Sequence, residues 1–467
     1  MFSQLMTDMG NRFCICRAVL CVLLVWSSLP VSATAAASQP DVSPWQNAQI
    51  NWRQFSGTTL SVLANTQPAF RALEKKLPYF EQLTGIKVGF HVLPQARMRE
   101  VRRVDLAAGA GIYDVVPIGI SYLGEAHRNG WLEPLQPYFD DPQLTDACWY
   151  DLADITPGSL ALSSIDGEML ALPFDFFAPV FFYRKDLFQR YELAVPDTYE
   201  ELLQMKTALQ MALERDEMQN MYAFASRTRA GAGMNTWTVI PVIRAYGGAM
   251  MDESLRPVFN SPQAKHALRV YRDMVTGYGS PPGAQMLNFH EIREQFKAGR
   301  LASVIAASDL FAEMDSPEES VIWDKWEAAP MPRGPRTRAT SLWSWGFAVN
   351  ASGQHKDAAW LFLQWASSKE TAMLLHHDDA PARTSLWHSD VYDYLDAPGF
   401  ISVSRWLLNQ RDIDPIQNGI AEFPRAGSVA SQAFNEIFFG APVASTLDQA
   451  VIRVEQIMQS GSGRSGD

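Results

Sequence analysis

The chain has 467 residues, 47% hydrophobic and 19% charged, with 39 Lys+Arg against 51 Asp+Glu and a formal net charge of −12. That length suits two or three domains, and the balance is that of an ordinary globular protein, neither disordered nor fibrous. An acidic chain without a basic block gives nucleic acid or an anionic membrane surface nothing to bind, so both are excluded as partners.

Residues 1–37 read as a signal peptide. Arg12 and Arg17 form a positive region, Ala18 to Leu29 is an apolar run too short to span a bilayer, and Val31 to Ala37 offers A-x-A cleavage choices. Cys21 follows the bulky Val19-Leu20, which disfavours lipid attachment, so a periplasmic protein, exported by a cleaved leader and not lipid-anchored, is expected. Cys14, Cys16 and Cys21 leave with the leader, and Cys148 alone cannot form an internal disulfide.

Residues 38–56 read as a loose polar lead-in. Leu60 to Ala64 then reads as a buried strand, and Phe70, Leu73, Leu77, Phe80 and Leu83 recur at helical spacing, with Pro78 expected to kink that helix and Gly85 to end it. Ile86, Val88, Phe90 and Val92 alternate as a second strand. A helix over 96–108 and the strand Asp114 to Ile118 complete a βαβαβ unit, the start of an α/β sheet covered by helices. Ser164 to Glu168 signals a turn, Val180 to Arg184 a strand, and Thr198-Tyr199-Glu200-Glu201 a capping box before a helix. Amphipathic helices are predicted around Ala264 to Met274 and over Asp357 to Ser367, and residues 461–467 form a Gly/Ser-rich tail expected to be disordered.

Enzyme signatures are missing after the leader: no G-x-S-x-G, G-x-x-x-x-G-K-[ST], H-E-x-x-H or C-x-x-C occurs. Gly109-Ala110-Gly111 lacks a third glycine and precedes a strand, as a helix-to-strand turn does. His376-His377-Asp378-Asp379 are adjacent residues pointing apart, better suited to a solvated helix end than to a metal, and Cys148 reads as a buried structural thiol. Neither a metal nor a cofactor is expected.

A series of phrases in fixed order carries a resemblance. Leu60-Ser61-Val62-Leu63, Phe80-Glu81 with Thr84-Gly85-Ile86, Tyr113-Asp114-Val115-Val116, Asp166-Gly167-Glu168, Leu172-Pro173-Phe174, Tyr183 to Phe188, Val195 to Leu202, Tyr246-Gly247-Gly248, Phe296 with Gly299-Arg300, Ala358-Ala359-Trp360 and Pro381 to Ser385 follow one another. Together they resemble the carbohydrate-type extracellular solute-binding proteins of ABC importers, over about residues 57–460. Ser316 to Val321, Leu342-Trp343-Ser344-Trp345 and Trp365 to Lys369 are similar to the sorbitol and mannitol binders within that family. The chain departs from them at Ala306, where they carry Asp, with Ser308 and Asp309 just beyond, and at Asp175-Phe176-Phe177.

The resemblance implies an α/β, two-lobed periplasmic-binding-protein fold with three interlobe crossovers and the ligand in the cleft. The N-terminal lobe would comprise 57–171 and 347–380, the C-terminal lobe 172–346 and 381–460. Ligands of open α/β sheets sit beyond the carboxyl ends of strands, which selects the loops holding Asn65 and Gln67, Ser121 and Tyr122, and Asp175 and Phe177. Trp343 and Trp345 share one face of an extended segment, where an indole could cover the C-H face of a sugar or pack in the core. Asn235 and Trp237 follow the Gly-rich loop 231–233, and Arg383 could fork onto hydroxyls or pair with a carboxylate. With Asp309 these are the candidate ligand-binding residues. The implied partners are a small neutral carbohydrate or polyol and ABC permease membrane subunits, the implied state a monomer, and the implied role binding without chemistry. The alternatives are an exported carbohydrate-active enzyme, which would need two carboxylates about 5 to 9.5 Å apart across the cleft, and a ligand sensor of the same fold feeding a membrane receptor.

Overall fold

The computed structural model describes residues 40–231, 233–410 and 420–462. The leader, its cysteines and residues 463–467 lie outside them. Two sheets organise the described chain. The first takes β1 (Thr59–Asn65), β2 (Lys87–Leu93) and β3 (Val115–Gly119); the hairpin β4 (Ser164–Ile165) and β5 (Glu168–Met169) stands apart, and β6 (Leu172–Pro173) returns to the first sheet. The second sheet takes β7 (Pro179–Arg184), β8 (Ser303–Ala307) and β9 (Trp326–Ala329), and β10 (Trp345–Val349) closes the first.

The order of the first sheet is β2-β1-β3-β10-β6. β1 runs parallel to β2, pairing Leu60 with Val88, and to β3, pairing Val62 with Val115. Helices on both faces bury Leu60, Val62, Leu63 and Ala64 completely, which is why β1 reads as a continuous apolar run. β10 enters antiparallel, with Phe347 opposite Pro117 on β3 and Gly346 opposite Pro173 on β6. The second sheet is antiparallel in the order β8-β7-β9, and parallel bridges from Tyr222 and Ala225 widen it beyond β8. Architecture and class are the α/β arrangement of the resemblance.

Some expectations need adjustment. Leu172–Pro173 and Trp345–Gly346 are strands of the first sheet, not the start and end of the second lobe, because each pairs with the other. The chain therefore passes between sheets at 174–178 and 330–344. The last helix, Val443–Ser462, extends past the expected start of the tail. The lead-in is not loose either: Trp45 and Trp52 are buried, Trp45 Nε1 donates to Ser368 Oγ at 3.1 Å, and Trp52 packs edge-on against Trp149. Cys148 is exposed, on the short helix Ala147–Tyr150 that Asp146 caps.

Candidate functional site

The passages between the sheets are stitched to one another. Phe177 and Trp343 exchange both backbone hydrogen bonds (2.9 and 2.8 Å), Phe176 N donates to Ala380 O at 2.8 Å, and Ala382 N donates to Phe174 O at 3.2 Å. Three chain segments thus lie side by side at the junction.

Between the two sheets and against this junction lies a narrow pocket. From the first sheet's side come Gln67 and Pro68, opening the helix Pro68–Thr84, and Gln95 and Arg99 on the helix Gln95–Ala108, where the strand ends of β1 and β2 release the chain. From the second side come Arg227, Gly233, Met234, Trp237, Phe289, Arg293 and Asp309; from the junction, Phe177 and Trp343. The two sides touch at Gly233, where a Cβ would come 3.3 Å from the Trp343 ring and 3.7 Å from Ser121 Oγ. With φ at 73°, that position also favours glycine by backbone conformation.

Of the sequence candidates, Gln67, Phe177, Trp237, Asp309 and Trp343 line the cavity. Phe177 and Trp237 meet edge to face at 5.9 Å. Ser121 lies beside Gly233, and its Oγ has no partner among the described residues; Asn65 accepts from Gln67 N at 2.8 Å and keeps a buried, unpartnered Nδ2. The structure does not bring the other five to the lining. Tyr122 stands behind Arg99, with the Arg99 and Arg102 guanidinium groups each 5.0 Å from its ring. Trp345 is fully buried against Phe70 and Trp343, a core ring. Asn235 spends its amide on the carbonyls of Thr228 (3.1 Å) and Ser431 (3.0 Å), tying a loop to the helix Phe423–Phe438. Arg383 does the same with Ser367, Tyr150 and Asp151 carbonyls at 2.8 to 2.9 Å, under the Tyr150 ring. Asp175 is a buried junction carboxyl, accepting from Trp345 N.

Burial pushes the Asp175 carboxyl well above the ordinary carboxylate range, and nearby Asp379 adds to it; Asp379 is raised in the same way, chiefly by desolvation. Asp379 is the buried end of His376-His377-Asp378-Asp379, whose His376 Nδ1 lies 2.6 Å from the Met373 carbonyl. No group of metal-ligating side chains occurs among the described residues. In the cavity, desolvation lowers Arg227 to about 10, with Arg293 contributing repulsion. Desolvation also opposes the charge of Arg293, but Asp309 and Glu313 outweigh it and raise its pKa. Arg293 is paired with both carboxylates, the Glu313 contact being 2.6 Å.

The arrangement is therefore an aromatic-walled slot with polar hydrogens left over. Trp343 Nε1, Trp237 Nε1 and Arg227 Nε are buried donors without partners among the described residues, and buried polar groups are normally satisfied. Sequence reasoning missed Gln95, Arg99, Arg227, Phe289 and Arg293. The first two were accessible, since the carboxyl-end rule applied to β2 selects the turn at Pro94-Gln95.

Comparison with known proteins shows what the chain is similar to. The family model of the bacterial extracellular solute-binding protein matches residues 64–373. A mannitol-binding protein of Pseudomonas aeruginosa is 28% identical over 382 residues, covering 80% of this chain and 84% of its own length. An ABC transporter solute-binding protein from Agrobacterium radiobacter K84, solved in complex with ribitol, superposes with a TM-score of 0.77 at 26% identity, covering 86% of this chain and 99% of its own. One from Agrobacterium vitis S4 with bound D-mannitol gives 0.74 at 27% identity, covering 88% and 99%. The chain belongs to the bacterial extracellular solute-binding protein family.

Proposed function

We propose that this protein binds a sugar or sugar alcohol in the cavity between its two halves and delivers it to the membrane subunits of an ABC permease. The observation that carries the reading is the set of unpartnered buried donors, Trp343 Nε1, Trp237 Nε1 and Arg227 Nε, set among aromatic faces at a jointed junction. Hydroxyl oxygens accept from such donors, and the C-H faces of the same ligand cover the rings. The mannitol- and ribitol-binding relatives support the same chemistry.

Binding without chemistry is the reading that the family supports. Asp309 is the lining's one carboxylate among the described residues and it is engaged by Arg293, which leaves no acid and base pair of the kind that hydrolyses a glycoside. No helix among the described residues is long and apolar enough to cross a membrane. We place the mature, unlipidated protein in the periplasm, acting as a monomer that closes on its ligand.

A thermal-shift and calorimetric screen of pentitols, hexitols, hexoses, amino acids and polyamines tests the reading, since a ligand of the native state stabilises it by RT ln(1 + [L]/Kd). Saturable binding of a polyol or sugar is expected. Binding confined to amino acids or polyamines overturns it.

A further inference from the structure

Arg227 is the least compensated group in the molecule's cleft. It is 9% exposed, its Nε has no hydrogen-bond partner, and its guanidinium forms no ion pair among the described residues. Two ring faces hold it instead, Trp237 at 4.4 Å and Phe289 at 5.4 Å, while its carbonyl is pinned by the Tyr271 hydroxyl at 2.7 Å. A cation removed from water without a counter-charge is costly unless something else supplies one.

The surroundings supply it only in part, since Asp309 acts on Arg227 through space without pairing with it. Asp309 is the cavity's one carboxylate among the described residues, and Arg293 takes it, with Glu313 on the other side of the same guanidinium. The opposite wall adds Arg99 and the start of the 17-residue helix Pro68–Thr84, whose first turn no side chain caps. The positive end of that helix favours an anion. Three arginines and one aspartate thus line a cleft in a chain whose net charge is −12.

We infer that the ligand is a polyhydroxylated chain ending in an oxyanion, a carboxylate or a phosphate, seated on Arg227. The inference rests on the polyol reading of the cleft and narrows it. A neutral hydroxyl could accept from Nε but would leave the charge unpaired, whereas an oxyanion satisfies both, and the planar fork of arginine suits two oxygens at once.

Ribitol, D-ribonate and ribitol 5-phosphate share a five-carbon chain and differ at one end, so calorimetry of the mature protein with all three isolates the end group. One of the two anions is expected to bind about tenfold or more tightly than ribitol at low salt, and which one distinguishes a sugar acid from a polyol phosphate. Added salt should shrink the difference. In Arg227→Gln the anion advantage should vanish, and Arg227→Lys should restore part of it, with melting curves reporting that both variants fold. Ribitol binding as tightly as both anions overturns the inference and leaves the polyol reading standing, as does a uniform loss across the three ligands in Arg227→Gln. Binding of none of the three overturns both.

Discussion

Trp343 joins the junction to the cavity, so removing its ring should be felt in two ways that can be measured separately. The side chain is 4% exposed, stands edge-on to Trp345 at 5.6 Å, and is so closely approached that a Cβ at Gly119 would come 2.7 Å from it. A buried Trp cut to Ala costs about 3 to 5 kcal/mol of stability. With an unfolding entropy near 2.1 cal/mol/K per residue, roughly 430 residues unfolding as a unit give about 0.9 kcal/mol/K, so Trp343→Ala should lower Tm by about 3 to 6 °C. Its cavity edge adds a second loss: an indole face covering a ligand contributes about 1 to 3 kcal/mol of apolar contact, or roughly a 5- to 150-fold weaker Kd. Trp343→Phe keeps a ring but loses the unpartnered Nε1, and a lost neutral hydrogen bond of about 0.5 to 1.5 kcal/mol predicts a 2- to 13-fold loss. Calorimetric Kd and scanning Tm on both variants decide the matter. A Trp343→Ala protein that melts early yet binds with unchanged Kd would make the ring part of the core and refute its role in the cleft.

Arg128, which follows β3, forks onto Glu422 at the start of the helix Phe423–Phe438, with one contact at 3.1 Å and the other shorter, joining the two sides of the cleft. Because Arg128 is half exposed the pair contributes about 0.2 to 1 kcal/mol, so Glu422→Gln should speed ligand release roughly 1.4- to 5-fold in stopped-flow fluorescence, with no further effect of Arg128→Gln; unchanged release rates would refute the clasp. The raised carboxyl groups of Asp175 and Asp379 bind protons more tightly folded than unfolded, so stability present near pH 4 should decline as pH rises through their folded values. Asp379→Asn should flatten that decline in Tm measured from pH 4 to 8, and a wild-type Tm that rises across this range would contradict the assignment. A chain beginning at residue 57 loses the buried Trp45 and Trp52 and should melt several degrees lower; an unchanged Tm would return that segment to the status of a loose lead-in.

The elements of the first sheet were legible because their residues serve one local purpose each. Phe70, Leu73, Phe80 and Leu83 face the core at helical spacing, and Leu60 to Ala64 are buried on both faces, so periodicity alone locates them. The segment 40–56 defeats that reasoning. Its two buried indoles are seven residues apart among polar neighbours, and what buries them is Ser368 and Trp149, far along the chain. The candidate site residues divide in the same way. Gln67, Phe177 and Trp343 follow from strand ends and an extended aromatic pair, whereas nothing local distinguishes Asn235 or Arg383 from a ligand-binding amide or fork. Only the distant carbonyls of Ser431, Tyr150 and Ser367 show that the Asn235 amide and the Arg383 Nε and Nη1 are already spent on the fold. Arg227 is the converse case, a residue type rarely buried, placed in an unremarkable run and revealed by what it lacks.

That lack ties recognition to motion. Gln67, Gln95 and Arg99 stand on one side of the cleft and Arg227, Trp237 and Asp309 on the other, so a ligand of the proposed kind would gain its full set of contacts only with both sides in place. Differential contact of this kind is what lets a ligand shift a conformational equilibrium. The rings of Trp237 and Phe289 keep water from Arg227 and lend it their π faces, and a guanidinium lowered only to about 10 remains charged at neutral pH. Water leaving the cleft on closure would strengthen each charged contact that remains. An oxyanion spanning Arg227 and the opposite wall would then contribute most in the closed state, whereas a neutral polyol would draw the halves together mainly through its hydroxyls and C-H faces. The two ligand classes should therefore differ more in release rate than in association rate, because the extra contact forms after the encounter.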